Sequence, residues 1–298
     1  MPQQFQQFQL PDGRNLDYCV NGPEDGIPLV WLHGTPSAGI PAPNLVTACA
    51  KKGIKVIALS RPGYGGSSRN KGRQVVDTVA DIKSLLNHLG VKKCLVGGWS
   101  GGGPLTLACA ARLPTCLAAV SFAGVGPYGV EGLDWWVGQG EDNVEEFSQA
   151  LKGEPQLRQF CESHRKEFLQ SDLDGVMEAM STLLPPCDNA TLIQNRDTIG
   201  QNMIDMLQEG LKHNADGWVD DDLELLKPWG FELSEIRVPV VLLQGTEDKM
   251  VPFGHGKWLA EHLPQDKVKA HLLEGHGHIS IFEGIDRIID ELIAVANL

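Results

Sequence analysis

The stretch that decides the fold is "CLVGGWSGGGPL", Cys94–Leu105. A run of β-formers ends on a serine set among five glycines, and a helix-like segment follows. The glycines have two readings. They permit a tight turn and nothing more, or they clear space so that a strained turn pushes the serine hydroxyl into a cleft. The choice depends on what surrounds the stretch.

Outward from it, the chain alternates. "PLVWLHG" and "KVIALS" are continuous apolar runs, suited to strands buried on both faces. "PNLVTACAKKG" lies between them as a short helix closed by Gly53. Residues 74–89 place Val75, Val79, Ile82, Leu85 and Leu86 at helical spacing, with Gly90 as the stop. Then come strand "KCLVGGW", a helix over 101–112 and strand "LAAVSFAG". An opening hairpin turns at "PDGR". "RVPVVLLQG", a helix near 254–263, "KAHLLEG" and a helix over 282–296 close the chain. This rhythm predicts an α/β protein, a parallel sheet with helices on both faces. Residues 127–235 hold no convincing strand and carry acidic helical stretches. They read as a helical insertion into a core formed by 1–126 and 236–298.

Composition excludes some classes. Of 298 residues, 25 are Lys or Arg and 38 are Asp or Glu, for a net charge of −13. That argues against nucleic acid or an anionic membrane as partner. A small-molecule substrate is the expected partner, and the sequence does not give the oligomeric state. "MPQQFQQFQLPDG" lacks a basic start followed by an apolar run, which predicts no secretory leader. Seven cysteines without a C-x-x-C pair read as reduced core residues. Both features predict a cytoplasmic protein. No metal-ligand spacing is present, and no cofactor is expected.

Chemistry converges on the opening stretch. Gly98-x-Ser100-x-Gly102 fits G-x-S-x-G at a strand-to-helix turn, where a nucleophile elbow needs it. The phosphate-loop pattern G-x-x-x-x-G-K-[ST] is absent. Ser100 is the candidate nucleophile. A serine hydroxyl needs a base, and the base needs an orienting group. "LLEGHGHISIF" offers His276 and His278, and the position of His278 just before the last apolar segment favours it. "VVLLQGTEDKMVP" supplies the acid at Asp248, with Glu247 as the neighbouring alternative. For the oxyanion, the N–H of Gly101 follows the nucleophile directly, and the N–H of Thr35 in "HGTPSAG" is the predicted second donor.

"HGTP", "SRPGYGGS", "GGWSGGG", "GTEDKMVP" and "GHGHIS" occur in the order of the α/β-hydrolase superfamily, and the chain resembles it over nearly its whole length outside 127–235. The resemblance implies an eight-stranded, mostly parallel sheet with a helical cap over the site. It implies that Arg61 and the glycines of "SRPGYGGS" are structural. Relatives that open epoxides or displace halides use aspartate at the elbow, and the "GGSWGG" elbow of proline iminopeptidase-like relatives is missing. Acyl transfer on an ester, lactone or thioester of a small, largely apolar substrate is the expectation. A C–C hydrolase or lyase using the same residues, or a ligand-binding protein that kept the fold, is the alternative. In the insertion, Trp135 and Trp136 are candidate pocket residues, and pinning the cap to the core is their other reading.

Overall fold

The computed structural model describes residues 4–298. Residues 1–3, the start of the stretch read as lacking a leader, lie outside the described residues. The strands are β1 (Gln6–Gln9), β2 (Asn15–Asn21), β3 (Ile27–Leu32), β4 (Ile54–Leu59), β5 (Cys94–Trp99), β6 (Cys116–Phe122), β7 (Val240–Gly245) and β8 (Val268–Leu273). They form one sheet in the order β1-β2-β4-β3-β5-β6-β7-β8. The β1–β2 and β2–β4 pairs are antiparallel, and all later pairs are parallel.

The apolar runs are central strands because both of their faces are covered. On one face lie α2 (Thr78–His88), α3 (Gly102–Arg112) and α10 (Phe253–His262), with Ile82, Leu85, Leu105 and Leu259 buried against Val30, Val96 and Leu242. On the other lie α1 (Pro43–Lys51) and α11 (Ile285–Val295). In α11, Ile285, Ile288, Ile289 and Leu292 recur on one face and pack on Leu95, Val120 and Val241. All seven cysteines are free.

Two sequence-derived boundaries move. The first turn of the 74–89 segment tightens into a 3₁₀ turn over Val75–Asp77 before α2 begins. The last helix starts at Ile285, because Gly284 takes φ +73° and separates it from a 3₁₀ turn over Ser280–Phe282.

Between β6 and β7, no strand occurs among the described residues. Six α-helices lie in the segment: α4 (Glu141–Lys152), α5 (Glu154–Phe168), α6 (Leu173–Ala179), α7 (Pro186–Gln194), α8 (Gln201–Leu211) and α9 (Asp216–Leu225). They bury their own cluster around Phe147, Leu157, Phe168, Leu192 and Trp218. No helix among the described residues is long and apolar enough to cross a membrane.

Candidate active site

Ser100 lies between the end of β5 and the start of α3, with φ +57°. Left-handed backbone is costly for a residue with a Cβ. The turn is held by two backbone bonds, Ser100 N–H to Phe122 O at 2.9 Å and Gly103 N–H to Ser100 O at 2.9 Å. The flanking glycines are required by contact. A Cβ on Gly98 would meet the Gly102 carbonyl, and one on Gly102 would meet the Leu32 carbonyl of β3. The glycine pattern therefore clears space for a strained serine.

The loops after β7 and β8 meet. His278 Nδ1 lies 2.8 Å from Asp248 Oδ2, and both side chains are buried. Asp248 is itself fixed, because its Oδ1 accepts the N–H groups of Met250 at 2.9 Å and Val251 at 2.8 Å. Gln244 Nε2 donates to Asp248 Oδ2 at 3.2 Å. A carboxylate that accepts at Nδ1 leaves Nε2 as the imidazole's free nitrogen. The structure separates the pairs that the sequence left adjacent. Glu247 is exposed, and His276 is half-exposed with its Nδ1 near its own loop carbonyl at Glu274. No hydrogen bond joins Ser100 to His278 in this arrangement. The indole of Trp99 packs tilted on the His278 ring at 5.1 Å, and its Nε1 donates to the His278 carbonyl at 3.1 Å.

Thr35 and Gly101 come together beside Ser100. A Cβ on Gly101 would collide with Thr35 Oγ1. Neither Thr35 N–H nor Gly101 N–H donates a hydrogen bond among the described residues. Two unengaged donors next to a serine suit a developing oxyanion. The Thr35 side chain is turned away from this duty by Asp221, which accepts its hydroxyl at 2.6 Å. Asp221 also accepts Tyr64 Oη at 2.6 Å and Arg61 Nη1 at 2.6 Å, and it pairs with Arg73. Arg61 continues to the Gly34 carbonyl at 3.0 Å and to Thr35 Oγ1 at 2.9 Å. Burial, with Arg61 nearby, holds the His33 pKa down at about 3, so that ring is neutral at pH 7. Its Nε2 accepts the Arg61 N–H at 3.0 Å, and its Nδ1 therefore donates to Gly34 O at 2.7 Å.

Asp188 escaped the sequence reading. It is fully buried at the start of α7 and grips the loop that carries His278. Its Oδ2 accepts the His278 N–H at 2.8 Å. Its Oδ1 accepts the N–H groups of Ile279 at 3.0 Å and Ser280 at 2.8 Å, and the Ser280 hydroxyl at 2.9 Å. Gly277 is required beside it, since a Cβ there would strike the carboxyl. Removing the acceptor strands buried donors, at about 1–3 kcal/mol each. In Asp188→Ala, amide exchange at His278, Ile279 and Ser280 should accelerate by about tenfold to a hundredfold, read by hydrogen-exchange mass spectrometry. Exchange unchanged from wild type would mean that the loop holds itself.

A cavity opens over Ser100, Gly101 and Thr35. Its apolar wall includes Phe147, Phe160, Phe168, Met180, Leu183 and Trp218. Trp135 and Trp136 do not line it. The indole N–H of Trp135 donates to the Gly126 carbonyl at 2.8 Å, and its ring is packed among Tyr128, Phe147 and His255. Trp136 lies edge-on against Trp135 and Tyr128. These two residues fasten the start of the helical segment to the core, and Trp218 is the tryptophan that faces the cavity. Asp142, Glu146, His164 and Asp222 also line it. Among the described residues, no group of three His, Cys, Asp or Glu side chains is placed to hold a metal ion.

The chain belongs to the α/β-hydrolase fold family, whose model matches residues 27–285. A non-heme chloroperoxidase of Streptomyces lividans is 27% identical over 278 residues, which cover 90% of this chain and 92% of the relative. A thermophilic esterase of Thermogutta terrifontis superposes with a TM-score of 0.69 at 18% identity, covering 99% of this chain and 100% of that one. The esterase RhEst1 of Rhodococcus sp. superposes at 0.66 with 20% identity, covering 98% of each chain. At such identities the solved structures speak to the fold alone. With the family shown, the coarse class is a hydrolase.

Proposed function

We propose that the protein is a serine hydrolase that cleaves a carboxylic ester, lactone or thioester of a small substrate through an acyl-enzyme on Ser100. The observation that carries this reading is the His278–Asp248 contact at 2.8 Å, in the site where a strained Ser100 borders two unengaged backbone donors. Residues 127–235 act in this proposal as the cap that shapes the pocket.

In the proposed mechanism, His278 Nε2 takes the Ser100 Oγ proton as Oγ attacks the carbonyl carbon. The carbonyl π pair moves onto oxygen, and the N–H groups of Thr35 and Gly101 hold that oxyanion. Asp248 keeps the imidazole in the right tautomer and stabilises the imidazolium. The oxyanion collapses, the C–O or C–S bond to the leaving group breaks, and that group leaves with the proton from His278. Water then attacks the acyl-enzyme with His278 again as base. The carboxylic acid is released, and Ser100 Oγ regains its proton.

The test is turnover of p-nitrophenyl acetate and butyrate by the purified protein. Steady multiple turnover is expected. Tight ester binding with no release of p-nitrophenol would overturn the reading in favour of a ligand-binding protein.

A further inference from the structure

The N–H of Thr35 serves an oxyanion only if the Gly34–Thr35 peptide is held in one orientation. That peptide is planar and trans, so its C=O and N–H point to opposite sides. The Gly34 carbonyl takes two donors, His33 Nδ1–H at 2.7 Å and Arg61 Nη2 at 3.0 Å. The Thr35 N–H therefore faces away from both, and the residue lines the cavity beside Ser100 and Gly101. The Thr35 hydroxyl is fixed as well. It donates to Asp221 Oδ2 at 2.6 Å and accepts from Arg61 Nη2 at 2.9 Å. It also lies against Gly101, where a Cβ would collide with it. The same hydroxyl thus sets the spacing between the two donor residues.

Arg61 and Asp221 are the source of this order. Thr35 follows β3, Arg61 follows β4, and Asp221 comes from α9, 186 residues beyond Thr35. Both charged side chains are buried, and Asp221 Oδ1 accepts Arg61 Nη1 at 2.6 Å. Tyr64 Oη gives Asp221 Oδ2 a second donor at 2.6 Å. Fastening α9 to the core is not a sufficient reason for this network. Arg73 with Glu224 and Arg69 with Asp220 already join α9 to the core, and among the described residues neither pair bonds to Gly34 or Thr35. Asp221 is the carboxylate of α9 that reaches the loop after β3. Anchoring alone would be served as well by apolar packing, since a buried ion pair yields little net stability.

We propose that Asp221 is a positioning residue for the oxyanion hole, acting through Arg61 and the Thr35 hydroxyl, so that the hole is complete only while α9 is seated on the core. The carboxylate touches no reacting atom. Its effect is to hold the hydroxyl that spaces Thr35 from Gly101 and the guanidinium that turns the Gly34–Thr35 peptide. Donors on the Gly34 carbonyl also polarise that peptide, which strengthens its N–H as a donor. The proposal rests on the hydrolase reading, because a reaction through a tetrahedral oxyanion is what uses these two donors. It adds that α9 carries part of the catalytic geometry as well as part of the cavity wall.

Two variants and a control test it, with p-nitrophenyl butyrate as substrate and propyl trifluoromethyl ketone as inhibitor. The ketone adds to Ser100 Oγ as a hemiketal: the Oγ–C bond forms, the carbonyl π pair moves onto oxygen beside the two donors, and the Oγ proton passes to His278. Asp221→Asn weakens both links to the loop. Thr35→Val cuts the hydroxyl link alone and leaves every buried ion pair in place, so it decides the question even if Asp221→Asn does not fold. In each folded variant kcat should fall by about tenfold or more while KM stays within about threefold, the pattern of an interaction made in the transition state. The inhibition constant of the ketone should rise by the factor by which kcat/KM falls. Arg69→Gln removes a different ion pair to α9, and its kcat and ketone affinity should stay within about threefold of wild type. Wild-type kcat and ketone affinity in Thr35→Val, a loss confined to KM, or an equal loss of kcat in Arg69→Gln would overturn the positioning role and leave the hydrolase reading standing. Wild-type protein that neither cleaves the ester nor binds the ketone would overturn both.

Discussion

Ser100→Ala should lower kcat for p-nitrophenyl butyrate by about 10⁴-fold or more, with the fold intact. The expectation follows from the site's geometry. The hydroxyl is the one nucleophile that the turn after β5 presents between the donors of Thr35 and Gly101. Without it no acyl-enzyme forms, and only the oxyanion donors remain to help water attack. The substitution removes one oxygen from a half-buried side chain whose backbone bonds do not involve it. Circular dichroism and the thermal midpoint should therefore match wild type closely. Near-native turnover in Ser100→Ala would place the chemistry on another residue.

The second large effect separates two histidines in one loop. His278→Ala should remove nearly all the activity that Ser100→Ala removes, and the double variant should be hardly worse than either single one, because base and nucleophile act as a unit. His276→Ala should stay within about tenfold of wild type, roughly 1.4 kcal/mol of barrier. His276 is half-exposed, with its Nδ1 near the Glu274 carbonyl, whereas His278 is buried against Asp248. Kinetics on the same ester decide it, and the reverse ranking would move the base to His276.

Why these residues were legible in the chain, and others were not, follows from the distance over which each signal acts. The elbow is local. Gly98, Ser100 and Gly102 belong to one turn, and the pattern announces its own geometry. Asp248 and His278 sit just past β7 and β8, where strand ends leave residues free to point at a site. Buried central strands and the amphipathic α11 were legible for the same reason, since their periodicity reports the burial of one segment.

Long-range partnerships left no such trace. Asp188 lies 90 residues from the loop amide that it holds. On the page it is one more acid near a helix start, and only folding shows that its carboxyl takes backbone donors. Helix α9, "DGWVDDDLEL", reads as a solvated acidic face, yet Asp220, Asp221, Asp222 and Glu224 are all buried. The available signal was charge balance. Arg61, Arg69 and Arg73 cluster in the segment before α2, and buried arginines demand acids. The tryptophan pair carried two readings. Composition makes an aromatic pair an attractive pocket wall, but the indole N–H of Trp135 needed an acceptor and found it in the core at Gly126. Trp229, counted with the insertion, likewise packs in the main core, stacked on Phe231.

The central claim, that Ser100 is the nucleophile, is tested most directly by a fluorophosphonate probe followed by peptide mass mapping. Such a probe phosphonylates a serine oxygen activated by a neighbouring base, with loss of fluoride. One adduct is expected on the folded protein, on the peptide containing Ser100, absent in Ser100→Ala and strongly slowed in His278→Ala. An adduct on a different residue, or no adduct from folded protein that still turns over esters, would contradict it.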